Sequence, residues 1–173
     1  RLEPVYSCNI AQPQADIPAF EYSARSTAAP AVRTAKPTFL IPVFPGTNCE
    51  YDTAKAIEEA GGAAQIEVIR NLSASDIAQS VQRFAQLARG AQAIFIPGGF
   101  SGGDEPDGSG KFITAFFRSG AVKEAVGDLL DGRGGLMCGI CNGFQALIKL
   151  GLVPYGRITD ADETSPTLTY NII

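Results

Sequence analysis

The chain has 173 residues, room for one domain of ordinary size, and its 45% apolar and 18% charged residues supply a core and exclude disorder throughout. Fourteen Lys and Arg against eighteen Asp and Glu leave a formal charge of −4, the wrong sign for gripping a phosphate backbone, so no nucleic-acid partner is expected. Histidine is absent, which removes from this chain the commonest general base, the usual partner of a catalytic Ser or Cys, and the commonest zinc ligand.

No apolar run approaches the roughly 18 residues of a membrane span, and the start has neither a basic segment nor an apolar signal core. A soluble, cytoplasmic protein with no membrane partner is expected. The four cysteines, Cys8, Cys49, Cys138 and Cys141, are too few and too unevenly spaced for a disulfide scaffold and suit free thiols in a reducing compartment.

Residues 1–36 carry Pro4, Pro13, Pro18 and Pro30 and no sustained period, and they read as a linker or surface-hugging arm. With Arg1 in place of a Met, the chain is expected to begin mid-protein. From residue 37 the pattern is that of a folded domain. Thr38 to Phe44 is a short apolar run, read as a buried strand despite Pro42, and it ends in the turn Pro45-Gly46. A helix follows, with Thr47 and Glu50 spaced as a capping box, Ala54, Ile57 and Ala60 on one face, and Gly61-Gly62 as its stop. Gln65 to Ile69 alternates as a second strand. Ser75 is the expected cap of a helix in which Ile77, Val81, Phe84 and Leu87 or Ala88 recur at helical spacing. Ala91 to Ile96 is a third strand, running into the Gly-rich loop Pro97 to Asp104. Lys111 to about Asp131 is helical with a break near Ser119-Gly120, Gly135 to Ile140 is a fourth strand, and Asn142 to Leu150 is a short helix ended by Gly151 and Pro154. The tail offers one more strand at Thr167 to Tyr170 and then stops, so the last element of the domain is expected to be missing.

Strands alternating with helices imply the α/β class: a parallel sheet with helices on both faces, in flavodoxin-like layers. In such sheets functional loops gather at the carboxyl ends of the strands, and the loops at 97–104 and 139–143 qualify.

Gly139-Ile-Cys-Asn-Gly143 is the sharpest chemical signal. It has the form of a nucleophile elbow between a strand and a helix, where the turn is too tight for side chains flanking the nucleophile. Cys141 would stand at a helix amino terminus, where unpaired N–H groups favour negative charge, and the Asn142 N–H could point at an oxyanion. The plain alternative is a buried cysteine in a glycine-rich turn. Cys138 and Cys141 also form a C-x-x-C pair, but Cys138 lies inside an apolar strand and is expected to be a small core residue, and zinc would lack ligands. Gly98 and Gly99 can turn N–H groups outward as an oxyanion hole requires, or simply form a loop. Asp104, Glu105 and Asp107 read as a solvated acidic stretch. Gln145, one helical turn beyond Cys141, could meet a polar substrate or brace the loop.

Taken together, Pro97-Gly-Gly-Phe-Ser-Gly-Gly-Asp104, the elbow running on to Leu147, Pro45-Gly-Thr-Asn-Cys-Glu50 and Ser165-Pro-Thr-Leu-Thr-Tyr-Asn171 resemble the glutaminase domain of phosphoribosylformylglycinamidine synthase, also called formylglycinamide ribonucleotide amidotransferase. This is a class I, triad-type glutamine amidotransferase of purine biosynthesis, here resembling the fused, single-chain form over residues 37–173. The resemblance implies that Cys141 attacks the side-chain amide of glutamine, forming a thioester and releasing ammonia. It further implies Gly98, Gly99 and Asn142 as oxyanion donors and Gln145 and Phe100 as substrate contacts, while Asn48 and Glu50 match a family motif with no role beyond helix capping. The partner implied is an ATP- and magnesium-dependent synthetase domain of the same ligase, with no cofactor or metal in this chain.

The family's triad His and Glu lie beyond the tail motif, whereas this chain ends at Ile173. The chain is therefore expected to be a truncated glutaminase, inactive alone. Two alternatives remain open at this point: a non-catalytic interaction module, and another elbow-cysteine hydrolase of the same architecture.

Overall fold

Thr38–Val43 forms β1, the strand its apolar run calls for, and three more parallel strands flank it: β2 (Ala63–Val68), β3 (Ala93–Ile96) and β4 (Leu136–Gly139). This computed structural model describes residues 31–101 and 110–168. The strand order is β2-β1-β3-β4. Pairing of β1 with β3 ends at Leu40, before Pro42, which has no N–H to offer a ladder on that side.

The helices are α1 (Glu50–Glu59), α2 (Ala74–Gly90), α3 (Lys111–Phe117), α4 (Gly120–Gly127), α5 (Asn142–Lys149) and α6 (Leu152–Tyr155), with a π-helical turn at Asp128–Gly132. The sheet grows one way from β1 to β2 and the other way from β1 to β3 and β4, so right-handed crossovers place α1 on one face and α2 and its successors on the other. The expected parallel α/β fold with helices on both faces is what the chain adopts.

Three local expectations need correction. Thr47 does not cap α1, because its hydroxyl turns back to accept the Phe44 N–H at 2.9 Å; Cys49 takes the cap position with φ 69° and no side-chain cap bond. The cap of α2 is Ser73 rather than Ser75: Ser73 Oγ accepts the Asp76 N–H at 3.1 Å and donates to the Asp76 carboxylate at 2.7 Å, while Ser75 sits inside the helix and accepts from Gln79. Pro154 does not merely follow a helix end; it lies within α6, a single turn whose first residues need no intrahelical N–H.

The main core lies on the α2 side of the sheet, where Leu40, Ile94 and Ile96 pack with Phe84, Phe117, Val122, Leu129 and Leu150. Phe44, Phe84, Phe116 and Phe117 interlock edge to face, with ring centroids 5.3 Å apart for Phe44–Phe116, 5.4 Å for Phe84–Phe116 and 5.5 Å for Phe84–Phe117. Each such pair adds roughly 0.5–1.5 kcal/mol beyond its burial. Arg133 locks the end of α2 by donating to the Ala88 and Ala91 carbonyls at 2.8 and 2.7 Å, the arrangement a helix carboxyl terminus favours.

The opposite face holds the fourth correction. In β4, Met137 points toward the core, which leaves Leu136, Cys138 and Ile140 on the α1 side. Among the described residues α1 covers β1 and β2 there but not β4, so Leu136 is 67% exposed, Ile140 55%, and Cys138 is exposed rather than a core residue. Cys8, the acidic stretch Asp104 to Asp107 and half of the strand expected at 167–170 fall outside the described residues. Thr167 and Leu168 carry no regular structure, and no described helix is long and apolar enough to cross a membrane.

Candidate active site

The reversal of strand order places a crevice between the carboxyl ends of β1 and β3, the usual ligand position in sheets of this kind. There the turn after β1 meets the loop after β3. The Asn48 N–H donates to the Gly98 carbonyl and the Phe100 N–H to the Gly46 carbonyl, both at 2.8 Å, and Thr47 and Gly99 form an antiparallel bridge. Gly99 has φ 134°, and a methyl group on it would stand 2.2 Å from the Gly46 carbonyl oxygen. Only glycine fits that contact.

The neighbouring strand ends in the elbow. Cys141 adopts φ 52° and ψ −111°, outside the favoured regions for a residue with a side chain, a conformation that costs on the order of 1–3 kcal/mol. The flanking glycines make this turn possible: a methyl on Gly139 would lie 2.6 Å from the Gly143 backbone, and one on Gly143 would lie 2.2 Å from the Ile96 carbonyl oxygen. The Cys141 thiol is exposed at the start of α5, and a methyl on Gly98 would come within 3.3 Å of Cys141 Cβ. The predicted nucleophile and the Gly98-Gly99 pair are thus brought together. Gly98, Gly99 and Asn142 donate no backbone N–H to any described partner.

Asn142 is 2% exposed, and its side chain reaches the loop after β3. Its Oδ1 accepts from both the backbone N–H, at 3.1 Å, and the hydroxyl of Ser101, which is itself fully buried. Asn142 Nδ2 donates to Gln145 Oε1 at 3.0 Å. Gln145 therefore braces the elbow helix through its oxygen. Ser101 went unnoticed in the sequence, where a serine in a Gly-rich loop carries no sign of the distant asparagine it meets. Asn48 has a larger part than the expected capping, since its backbone pins the Gly98 loop while its Oδ1 accepts the Cys49 N–H at 2.9 Å.

Along the α1 face runs a mostly apolar groove of about 940 Å³. Cys141, Gly98, Gly99 and Phe100 line its end, Phe39 and Phe95 its floor and Cys49 its wall; Phe100 is 63% exposed. Gln145 is not among its lining residues. No group of three or more His, Cys, Asp or Glu stands together among the described residues to hold a metal ion.

Residues 36–173 match the model of the CobB/CobQ-like glutamine amidotransferase domain. The chain belongs to this family. Its amidotransferase relatives include the protein called phosphoribosylformylglycinamidine synthase subunit PurQ from Dehalococcoides mccartyi, 36% identical over 130 residues, which span 73% of this chain and 44% of the relative. The proteins of the same name from Symbiobacterium thermophilum and Pyrococcus furiosus are 39% and 33% identical, over 68% and 67% of this chain and 42% and 43% of theirs. The chain thus spans less than half the length of these relatives. The structure of PurLQS from Thermotoga maritima aligns over 68% of this chain and 45% of that one, with 28% identity and a TM-score of 0.46. Membership among the glutamine amidotransferases, read from the elbow and the two loops, holds.

Proposed function

We propose that residues 37–173 form the nucleophile-bearing part of a glutaminase that feeds ammonia to a phosphoribosylformylglycinamidine synthase, preceded by a connecting arm at 1–36. The observation that carries this is the strained Cys141 elbow set beside the Gly98-Gly99 amides at the open end of the groove. The relatives' name, phosphoribosylformylglycinamidine synthase subunit PurQ, supports this reading, and with it we place the activity in purine biosynthesis and in the cytoplasm.

In this reading glutamine enters the crevice with its side-chain amide against Cys141. The sulfur attacks the amide carbon, and the negative charge that develops on oxygen is met by the N–H groups of Asn142 and of Gly98 or Gly99, which have no hydrogen-bond partner among the described residues. Collapse expels the amine, which takes up a proton to leave as ammonia; water then cleaves the thioester to glutamate and restores the thiol. Phe100 at the rim covers the substrate, whereas Gln145, which does not line the groove, supports the elbow helix through Asn142. Proton delivery to the amine is a task for histidine in triad enzymes, and these 173 residues hold none, so it falls to residues outside them. ATP and magnesium belong to the synthetase partner that consumes the ammonia.

The test is competitive labelling of the native chain by a glutamine analogue with an electrophilic carbon in place of the side-chain amide, read by peptide mass mapping. Cys141 should be modified ahead of Cys49 and Cys138, although all three are exposed, and glutamine should protect it. A second reading, a non-catalytic module of the same fold, draws on the missing histidine. Equal labelling of the three thiols without protection would favour it.

A further inference from the structure

The side chains of Ser101 and Asn142, with Gln145 beyond them, take no part in the bond changes proposed at the sulfur, yet their hydrogen bonds join the two segments that carry the oxyanion donors. On the β1 side the loop after β3 is pinned by backbone bonds to Gly46 and Asn48. On the α5 side, among the described residues, the hydrogen bonds to the loop are those from Ser101 to the Asn142 side chain. Gly98 and Gly99 lie just before Ser101, and the Asn142 N–H lies on the residue that Ser101 holds.

The direction of each bond is determined by its partners. The Ser101 N–H can only donate, so the amide oxygen of Asn142 must face the loop, where it takes the Ser101 hydroxyl as well. Its nitrogen then faces Gln145 and requires the oxygen of that side chain. Rotating the Asn142 amide by half a turn would set its NH2 against the Ser101 backbone N–H, two donors facing each other in a buried place, since Ser101 is fully buried and Asn142 is 2% exposed. The chain of bonds therefore has one arrangement.

We infer that Ser101, through the Asn142 side chain, is a positioning residue that sets the Gly98-Gly99 amides and the Asn142 amide at a common distance from Cys141, so that they converge on one oxyanion. The inference rests on the glutaminase reading and deepens it. An oxyanion hole works because its donors need no rearrangement when charge appears, and a loop tied to the elbow on one side only would lose that fixity.

The experiment compares two reactions of Cys141 in the whole chain. An activated γ-ester of glutamate acylates the thiol: the S–C bond forms, the ester C–O bond breaks, the stabilised alkoxide or phenolate leaves as its anion and the thiol proton goes to solvent, all through an oxyanion. This leaving group needs no histidine. Iodoacetamide alkylates the same sulfur by direct displacement of iodide, with no oxyanion. Ser101→Ala and Asn142→Ala both keep every backbone N–H. Each is expected to lower the ratio of acylation to alkylation at Cys141 by ~10-fold or more, less than the roughly 100- to 1,000-fold of removing a donor outright because the donors themselves remain. The double variant should fall no further than the weaker single, because both substitutions break the same link. A ratio within about twofold of the parent in both single variants would overturn the inference while leaving the glutaminase reading intact, and so would an equal fall of both rates, which marks a merely structural role. If the parent chain is acylated no faster at Cys141 than at Cys49, the glutaminase reading itself fails and takes this inference with it.

Discussion

Replacing Gly143 by alanine puts a methyl group 2.2 Å from the Ile96 carbonyl oxygen and 2.9 Å from both the Ile96 carbonyl carbon and the Pro97 oxygen. All three are backbone atoms of the central strand β3 and the residue after it, so no side chain can swing aside. Restoring an ordinary contact requires α5 and β3 to separate by about 1 Å, in an interior that transmits strain rather than absorbing it. Overpacking of this kind costs typically 1–3 kcal/mol, and with three backbone clashes the upper end, about 3 kcal/mol, is expected. For a domain of this size that is a fall in Tm of roughly 6–12 °C. The matched control is Gly127→Ala: Gly127 is helical, with φ −58° and ψ −46°, and no atom lies within 4 Å of the added methyl. That variant should gain roughly 0.5–1 kcal/mol, because alanine loses less backbone freedom than glycine. Denaturant unfolding of both variants, with the rate of Cys141 modification recorded alongside, checks the reasoning. Should Gly143→Ala unfold at the parent midpoint with its thiol equally reactive, the close approach of α5 to β3 would be wrong, and with it the geometry of the elbow.

The 173-residue chain should release ammonia from glutamine at near background rate, since loss of a triad member commonly costs several orders of magnitude; substantial release abolished by Cys141→Ala, followed by a coupled ammonia assay, would show that another group here serves as base. Phe117→Ala, at a fully buried ring stacked edge to face on Phe84, should cost about 3–5 kcal/mol in denaturant unfolding, and a loss under about 1 kcal/mol would contradict the described core. The Asp162 carboxyl is held below its ordinary value, first by the Thr164 hydroxyl and then by the Thr164 N–H, with Ser165 adding to it. A depressed native value means that the turn is supported above the unfolded carboxylate value and loses that support as pH falls through the native one. NMR titration should find Asp162 titrating below the ordinary aspartate value, and Thr164→Val should raise it.

The order of strands and helices was legible because each carries its period in adjacent residues: Phe39 to Val43 is continuously apolar, α2 repeats Ile77, Val81, Phe84 and Ala88, and glycines punctuate both. The elbow was legible for the same reason, since the glycines at 139 and 143 and the thiol between them lie within five residues, and the steric need they answer is local. What the local pattern could not settle was any choice among competing partners. Thr47 had a helix end or its own turn to satisfy, and Ser73 and Ser75 competed for one cap; in each case the three-dimensional path of the chain decided. Cys138 sits in an apolar strand whose two faces look alike in sequence, and only the placement of α1 over β1 and β2 leaves its side uncovered. The Ser101–Asn142 link spans 41 residues, and neither residue type announces the other. Local spacing thus determined the elements and the elbow, while the meeting of β1, β3 and α5 determined what surrounds it, because side chains far apart in sequence find one another only after the strands have been placed in order.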